Sequence, residues 1–415
     1  MKIRYLFFSI LLISIISQGV YAQFEEPQLK SEDFDKLRVT VGADFAMQYQ
    51  ALDHEADSAL IPLGTGFNLP TANFIINGFL APGIQVNLET YLSSRHHNET
   101  WVKGGYLVLD ELPFLKSERI DRLMDYMTFK IGDMEINYGD AHFRRTDNGR
   151  AISNPFVGNY ILDAFSTQVA LEAMYRNKGW LLMGAVSSGS LKPALTAYNA
   201  GTGTYETFDT HKELAFYWKA GYDNQLSDDL RLRLTLSGYH NPDNHAGALY
   251  NSDRTGSRYY LVMNKVTNNA ADVDITKNHL SGNFGPGTVI KDNSLMLNLF
   301  TKYKGLEVFG TWEMFRGKLP SKADSEFNQY AIEGLYRFGG NEQFYGGLRY
   351  NLVNNNLDQQ VDRFQIAAGW YLLEQIVIKL EYVNQNYDGF VGGPASLGAG
   401  DAGFKGVMFE AAISF

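Results

Sequence analysis

Residues 38–49 read RVTVGADFAMQY, with apolar side chains at the odd positions and polar or small ones at most even positions. A repeat of two residues puts these two sets on opposite faces of a β-strand. The same alternation appears in residues 230–239, LRLRLTLSGY, and in residues 363–372, RFQIAAGWYL. The pattern predicts strands that face an apolar environment on one side and a polar environment on the other.

Strands of this kind recur along almost the whole chain. Most are roughly 9–12 residues long, close to the length that a tilted strand needs to cross a bilayer. We read about sixteen, an even number as bacterial barrels require, at residues 38–49, 72–80, 84–93, 100–110, 126–133, 165–176, 179–187, 212–223, 229–240, 293–304, 305–316, 328–338, 342–352, 361–373, 375–386 and 405–415.

The connections between these strands alternate in length. Residues 111–125 are expected to hold a short helix, and residues 258–266 an extra strand within the longest loop. Short periplasmic turns and long outer loops are typical of outer-membrane barrels. We therefore predict an all-β, transmembrane antiparallel barrel of about sixteen strands over residues 38–415. Tight turns are expected at 81–83, 177–178, 224–227, 304–305, 339–341 and near 374, and long polar loops at 50–71, 134–164, 188–211, 241–292, 317–327, 353–360 and 387–404.

The N-terminus has the features of a secretory signal. Lys2 and Arg4 precede an apolar run over residues 5–16, which is followed by small residues up to Ala22. The run is shorter than the roughly 20 apolar residues of a membrane-spanning helix. We predict a signal peptide over residues 1–22 and a periplasmic segment over residues 23–37, which is too short to block a barrel of this size.

Charge and composition exclude several classes of function. The formal net charge is −10, and loss of residues 1–22 would remove two basic and no acidic residues, leaving −12. Such a chain is not expected to bind nucleic acid, which requires a basic surface. Cysteine is absent, which excludes disulfides and thiol chemistry. We expect no metal and no cofactor, and we expect outer-membrane lipid and lipopolysaccharide as surroundings.

The chain ends on an alternating strand. Residues 405–415 read KGVMFEAAISF, so Phe415 is both the last residue and a member of the apolar face. This ending resembles the signal by which the barrel-assembly machinery captures outer-membrane proteins. The resemblance implies that Phe415 acts as an assembly signal and that the machinery is a transient partner.

One segment carries a family resemblance. Residues 130–150 read KIGDMEINYGDAHFRRTDNGR and residues 154–160 read NPFVGNY. They resemble outer-membrane porins of Bacteroidetes, which are distantly similar to the phosphate-selective porin group. The resemblance implies a sixteen-stranded channel of the cell outer membrane, often a homotrimer, with loops folded inward to narrow the pore.

The polar strand faces depart from the phosphate-selective pattern, which has a basic ladder. Here the positions expected to line the lumen mix both signs, which does not favour phosphate selectivity. The cations are Arg231, Arg233, Arg337 and Lys379, and the carboxylates are Asp44, Glu89, Glu172, Glu333, Glu381 and Glu410.

The third long loop, residues 134–164, is the candidate pore constriction. Opposed charges in a narrow space with low-dielectric walls produce a strong local field that discriminates solutes by charge. The alternative is a solvated surface loop, but its aromatic residues require a surface to pack against. The residues assigned to the constriction are Arg144, Arg145, Arg150, Glu135, Asp140 and Asp147, with Asp163 nearby.

Other motifs are weaker. His96-His97 and the group Asn268, Asn269, Asp272 and Asp274 lack the spacing of a metal site. Aromatic residues near the predicted strand ends suit interfacial girdles or ordinary packing; they include Tyr49, Trp101, Tyr126, Trp180, Tyr239 and Trp312.

Three functions are compatible with such a barrel. A barrel of about sixteen strands leaves an aqueous channel unless a segment blocks it, which favours passive diffusion of small hydrophilic solutes and no enzymatic activity. A structural or assembly role in an envelope complex is the main alternative. A hydrolase is the third, in which His142, Asp140 or Asp147, and Ser153 or Ser166 would form a triad.

Overall fold

The computed structural model describes residues 24–93, 101–145, 150–191, 196–199, 202, 204–207, 213–242, 249–250, 258–266, 282–390 and 402–415. Within them, sixteen antiparallel strands form one closed barrel. The barrel strands are β1 (Arg38–Glu55), β2 (Thr71–Ala81), β3 (Ile84–Ser93), β4 (Trp101–Leu109), β5 (Met127–Glu135), β6 (Thr167–Asn177), β7 (Trp180–Ser187), β8 (Ala215–Ser227), β9 (Leu230–Asn241), β10 (Lys291–Tyr303), β11 (Leu306–Lys318), β12 (Asp324–Phe338), β13 (Phe344–Asn355), β14 (Gln360–Leu373), β15 (Ile376–Asp388) and β16 (Ala402–Ser414).

The barrel closes where the last strand pairs with the first. Phe45 lies opposite Ile413, and the pairing continues to Glu55 opposite Gly403. Each other neighbour pair is also antiparallel, so every strand is hydrogen-bonded on both sides. A closed barrel leaves no edge strand, which is what a sheet inside a membrane requires.

The two barrel faces differ as the alternation predicts. Outward side chains are apolar and exposed, for example Ile332 at 58% and Leu348 at 52%, whereas inward side chains are polar and buried. Such an exterior is stable only against lipid. No helix in the described part of the chain is long and apolar enough to span a membrane.

An outward aromatic ladder marks one end of the barrel. Tyr336, Phe338, Phe344 and Trp370 stack in sequence, with ring centroids 6.3, 5.6 and 5.7 Å apart. They flank the short turn between β12 and β13, where an interfacial girdle is expected. Of the aromatic residues proposed for girdles, Tyr239 was placed wrongly: it is buried on the inner face.

The short elements are one two-residue strand at Gly66–Phe67 and one ribbon formed by Thr196–Asn199 and Thr204–Thr207. The predicted helix between β4 and β5 is present as α1 (Glu118–Met124). Three 3₁₀ turns lie at Ser31–Asp33, Ala141–Arg144 and Arg150–Ser153.

Two local predictions are wrong. The turn expected at residues 224–227 belongs to β8, and the reversal falls at residues 228–229. Residues 258–266 do not form a strand, although Lys265 makes one bridge to Leu60. Positive φ angles of 68°, 60° and 61° at Arg258, Leu261 and Met263 interrupt the extended conformation. The apolar residues of this segment therefore do not indicate a strand.

The C-terminal residue contributes to the barrel seam. The Phe415 amide donates to the Ala43 carbonyl at 3.0 Å, and the Ala43 amide donates to the Phe415 carbonyl at 2.8 Å. We predict that deleting Phe415 slows assembly and lowers the yield of folded barrel, measured by heat-modifiable electrophoretic mobility of outer-membrane fractions. Phe364→Ala, which removes a lipid-facing phenyl away from the seam, is the control; equal yields from both variants would contradict the assignment.

Candidate functional site: the barrel lumen

All ten residues predicted to line the lumen lie on the inner face of the barrel. Six of the ten lie on β9, β12 and β15. Five of them are at most 6% exposed, and the Arg231 side chain is 27% exposed. Burial to this degree shows that other parts of the chain fill much of the space in front of them. The five buried residues are Arg233, Glu333, Arg337, Lys379 and Glu381.

Residues 136–145 and 150–166 fill this space, because these parts of the connection between β5 and β6 lie in the barrel interior. Asp140 is their principal anchor. Its carboxylate accepts hydrogen bonds from Arg233 at 2.7 Å through both Nε and Nη2, from Lys219 at 3.0 Å and from Thr235 at 2.6 Å. These three partners lie on β8 and β9. Charge-assisted bonds of this kind are roughly twice as strong as neutral ones.

A glycine is required next to this anchor. Gly139 has a φ of +69°, and a Cβ at this position would lie 2.1 Å from the Met296 sulfur of β10. Its carbonyl also accepts a hydrogen bond from Lys219 at 2.7 Å. A larger residue would therefore separate the loop from the wall at the point where Asp140 binds.

The anchor is ionised over a wide pH range. Burial alone would raise the pKa of Asp140, but Lys219 and Arg233 hold it well below its ordinary value. Burial alone would also raise the pKa of Glu25, but the same two cations lower it to about 2. Depressed pKa values mean that this stabilisation is complete above the ordinary carboxyl pKa of about 4. It is lost only as the pH falls towards about 2.

The loop crosses the lumen to the opposite wall. Arg144 lies 3.2 Å from a carboxylate oxygen of Glu333 on β12 and 3.7 Å from Glu307 on β11. The Tyr160 hydroxyl donates to the other Glu333 oxygen at 2.7 Å. Arg145 forms a two-bond pair with Asp163, at 2.6 and 2.9 Å, within the loop itself.

Wall side chains also bind the backbone of the loop. The Val157 amide donates to Glu381 at 2.7 Å, and the Ile161 amide donates to Asn351 at 2.7 Å. Arg349 donates to the Gly158 carbonyl at 2.7 Å. These backbone groups of an irregular segment are therefore satisfied by the barrel, as burial away from water requires.

The N-terminal segment also enters the lumen. Glu25 accepts hydrogen bonds from Arg233 at 2.6 and 2.8 Å and from Lys219 at 3.4 Å. The Phe24 ring packs edge-on against Phe143 of the loop, with centroids 5.8 Å apart. Sequence reasoning missed this role because the segment has no strand periodicity.

A third set of inward contacts comes from the longest outer connection. The Tyr250 hydroxyl donates to Glu313 at 2.7 Å, and the Tyr259 hydroxyl donates to Glu381 at 2.7 Å. Arg258 donates to Glu410 at 3.0 Å. Together with the loop, these contacts occupy the half of the lumen next to β10–β16.

The other half retains a cavity of about 320 Å³ between the loop and β1–β6. Along β5 the cavity extends from Lys130 to Glu135. These two residues are five positions apart, which corresponds to roughly 17 Å of strand. Its ionisable lining residues are Glu25, Glu26, Asp44, Glu89, Lys103, Tyr106, Lys130, Glu135, His142, Arg150 and Glu172.

The cavity separates the residues assigned to the constriction. Glu135 and Arg150 line it, with a closest approach of 3.6 Å, and Arg150 also approaches Glu89 to 3.9 Å. The Arg150 side chain is 40% exposed. Asp140, Arg144 and Arg145 instead serve the anchoring contacts, so their charges are neutralised within the protein. Asp147 lies outside the described residues.

Among the described residues, His142 does not form the triad considered for a hydrolase. The two ring nitrogens of His142 contact Glu135 at 3.2 Å and Asn137 at 3.1 Å, and neither contact is to a serine. Asp140 is engaged by cations. No group of metal-binding side chains occurs in the described part of the chain; His96, His97 and the Asp272 region lie outside it.

Solved structures with this architecture are outer-membrane porins. The anion-selective porin from Comamonas acidovorans is 12% identical, with a TM-score of 0.54 over 92% of this chain and 100% of that one. OprB from Pseudomonas putida is 9% identical, with a TM-score of 0.52 over 91% and 94%. No protein-family model and no curated protein sequence matches the chain. The chain has the sixteen-stranded β-barrel fold of these porins.

The Asp140 anchor generates a stability prediction. Asp140→Asn leaves Lys219 and Arg233 buried with less compensation, and we expect a loss of about 3 kcal/mol in the free energy of unfolding. Urea unfolding in lipid vesicles measures it. The control is Asp324→Asn, which breaks the exposed pair with Lys318 and should cost far less, because solvent screens an exposed ion pair. Equal losses would show that Asp140 is not an anchor.

Proposed function

We propose that the protein is a passive diffusion channel for small hydrophilic solutes, and that they pass between the described part of the loop (residues 136–145 and 150–166) and β1–β6. The observation that carries this proposal is the cavity of about 320 Å³ at that position. A water molecule takes about 30 Å³ of liquid volume, so the cavity has the volume of about ten water molecules. Solutes of the size of a monosaccharide or an amino acid fit such a space.

The lining supports hydrophilic solutes. Charged and polar groups border the cavity from both sides: Glu89, Lys103 and Lys130 on the wall, and Asn137 and Arg150 on the loop. A solute that loses water on entry finds donors and acceptors to replace it, whereas an apolar solute does not. The constriction in this proposal is formed by Arg150 and Glu135 facing Glu89, and Arg144, Arg145 and Asp140 hold the loop in place.

The resemblance to trimeric porins also leads us to propose a homotrimer. The mass of the protein in mild detergent, determined by light scattering, tests this point separately from conductance. A structural or assembly role in an envelope complex remains the second candidate. It rests on the extent to which inward segments fill the lumen, and it requires no ion flow through the purified barrel.

Channel function can be tested with single cysteines, because the chain has none of its own. Ser153 is exposed and borders the cavity. We predict that purified protein conducts ions in planar bilayers, and that a bulky methanethiosulfonate reagent lowers the conductance of Ser153→Cys several-fold. The reason is that the attached group occupies the passage.

The matched control is Ser321→Cys, in the exposed turn between β11 and β12. Labelling there should leave conductance unchanged. Absence of conductance in the unlabelled protein would contradict the channel proposal. Equal inhibition or no inhibition of both labelled variants would show that solutes do not pass beside Ser153.

A further inference from the structure

The charges that border the cavity are unequal in number. Six carboxylates line it, and only three side chains with permanent positive charge do: Lys103, Lys130 and Arg150. The imbalance produces a net negative field in the cavity only if the carboxylates are not neutralised by partners. The contacts of each carboxylate therefore decide its contribution.

Three of the six carboxylates are paired. Glu89 contacts Lys103 at 2.6 Å, and Glu135 lies 3.6 Å from Arg150. Glu25 is bound by Arg233 and Lys219, cations of the anchor that do not line the cavity. These three carboxylates therefore contribute dipoles to the cavity more than net charge.

The other three carboxylates form no salt bridge with the residues that the structure describes. Asp44 and Glu172 are 5% and 2% exposed, and both border the cavity. Glu172 accepts a hydrogen bond from the Tyr217 hydroxyl at 3.3 Å, which brings no charge. Glu26 lies at the exposed end of the N-terminal segment. Opposing them is one unpaired cation, Lys130, directly across the strand pair from Glu172.

The surroundings preserve the effect of this surplus. Salt screens charges over about 10 Å at 0.1 M, but charges set in walls of protein and lipid are screened less than charges on an open surface. Asp44, Glu172 and Glu26 lie on three different elements that border the cavity.

From this arrangement, and given the proposed channel function, we propose that the passage prefers cations, and that its solutes are small cationic or net-neutral polar molecules rather than phosphates or other anions. The specificity-determining residues are Glu26, Asp44 and Glu172. The arginines of the loop do not oppose this preference, because Arg144 and Arg145 are paired with carboxylates outside the cavity.

The reversal potential across a planar bilayer with a KCl gradient at pH 8 tests the inference. We expect a potassium-to-chloride permeability ratio above 1 that increases as the salt falls from 1 M to 0.1 M, because the screening length grows from about 3 to about 10 Å. The triple variant Glu26→Gln, Asp44→Asn and Glu172→Gln should lower the ratio several-fold. Lys130→Met, which removes the opposing charge, should raise it.

Asp388→Asn, at the exposed outer end of β15, is the control and should leave the ratio unchanged. Vesicle swelling with arginine, gluconate and uncharged arabinose extends the test to solutes, with arginine expected to enter faster than gluconate. A ratio below 1 in the unmodified protein, or a ratio that the triple variant does not move, would overturn the inference. Absence of conductance and of arabinose entry would instead contradict the channel itself.

Discussion

The rest of the structure depends on how the charges on the inner barrel wall are neutralised. Withdrawing an ion from water costs several kcal/mol unless it finds a partner with good geometry. Arg233 meets this requirement through Asp140 of the loop and Glu25 of the N-terminal segment, and Lys219 joins the same network. The inward segments are held in place because they carry the partners that the wall lacks.

This constraint also explains why the lumen is divided unevenly. The wall from β11 to β16 carries Glu307, Glu333, Lys379 and Glu381, and each contacts an inward segment. On β1–β6, Lys103 pairs with Glu89 on the wall itself, and Asp44 and Glu172 border the cavity without a salt bridge to any described residue. Charges beside water need no partner from an inward segment, so the proposed passage lies on that side.

Much of the fold could be predicted from the sequence, because a repeat of two residues determines which face each side chain occupies. All sixteen predicted strands are present, and the inner position of Arg233 followed from the same parity. Contacts between distant segments leave no such periodic trace. Nothing in the sequence distinguishes Arg144, which binds Glu333, from Arg150, which faces the cavity. Phe24 and Glu25 likewise carry no pattern that indicates insertion into the lumen.

The same reasoning changes how the charge of such a channel should be read. The loop sequence RRTDNGR at residues 144–150 suggests a positive constriction. The charges that hold the loop in place, however, are neutralised by their partners. The field in the passage comes from the charges that remain unpaired. These lie mainly on β1 and β6 and on the N-terminal segment rather than on the loop. The charges of the loop therefore indicate how firmly the loop is bound. Selectivity depends instead on the charges around the passage that have no partner of opposite sign.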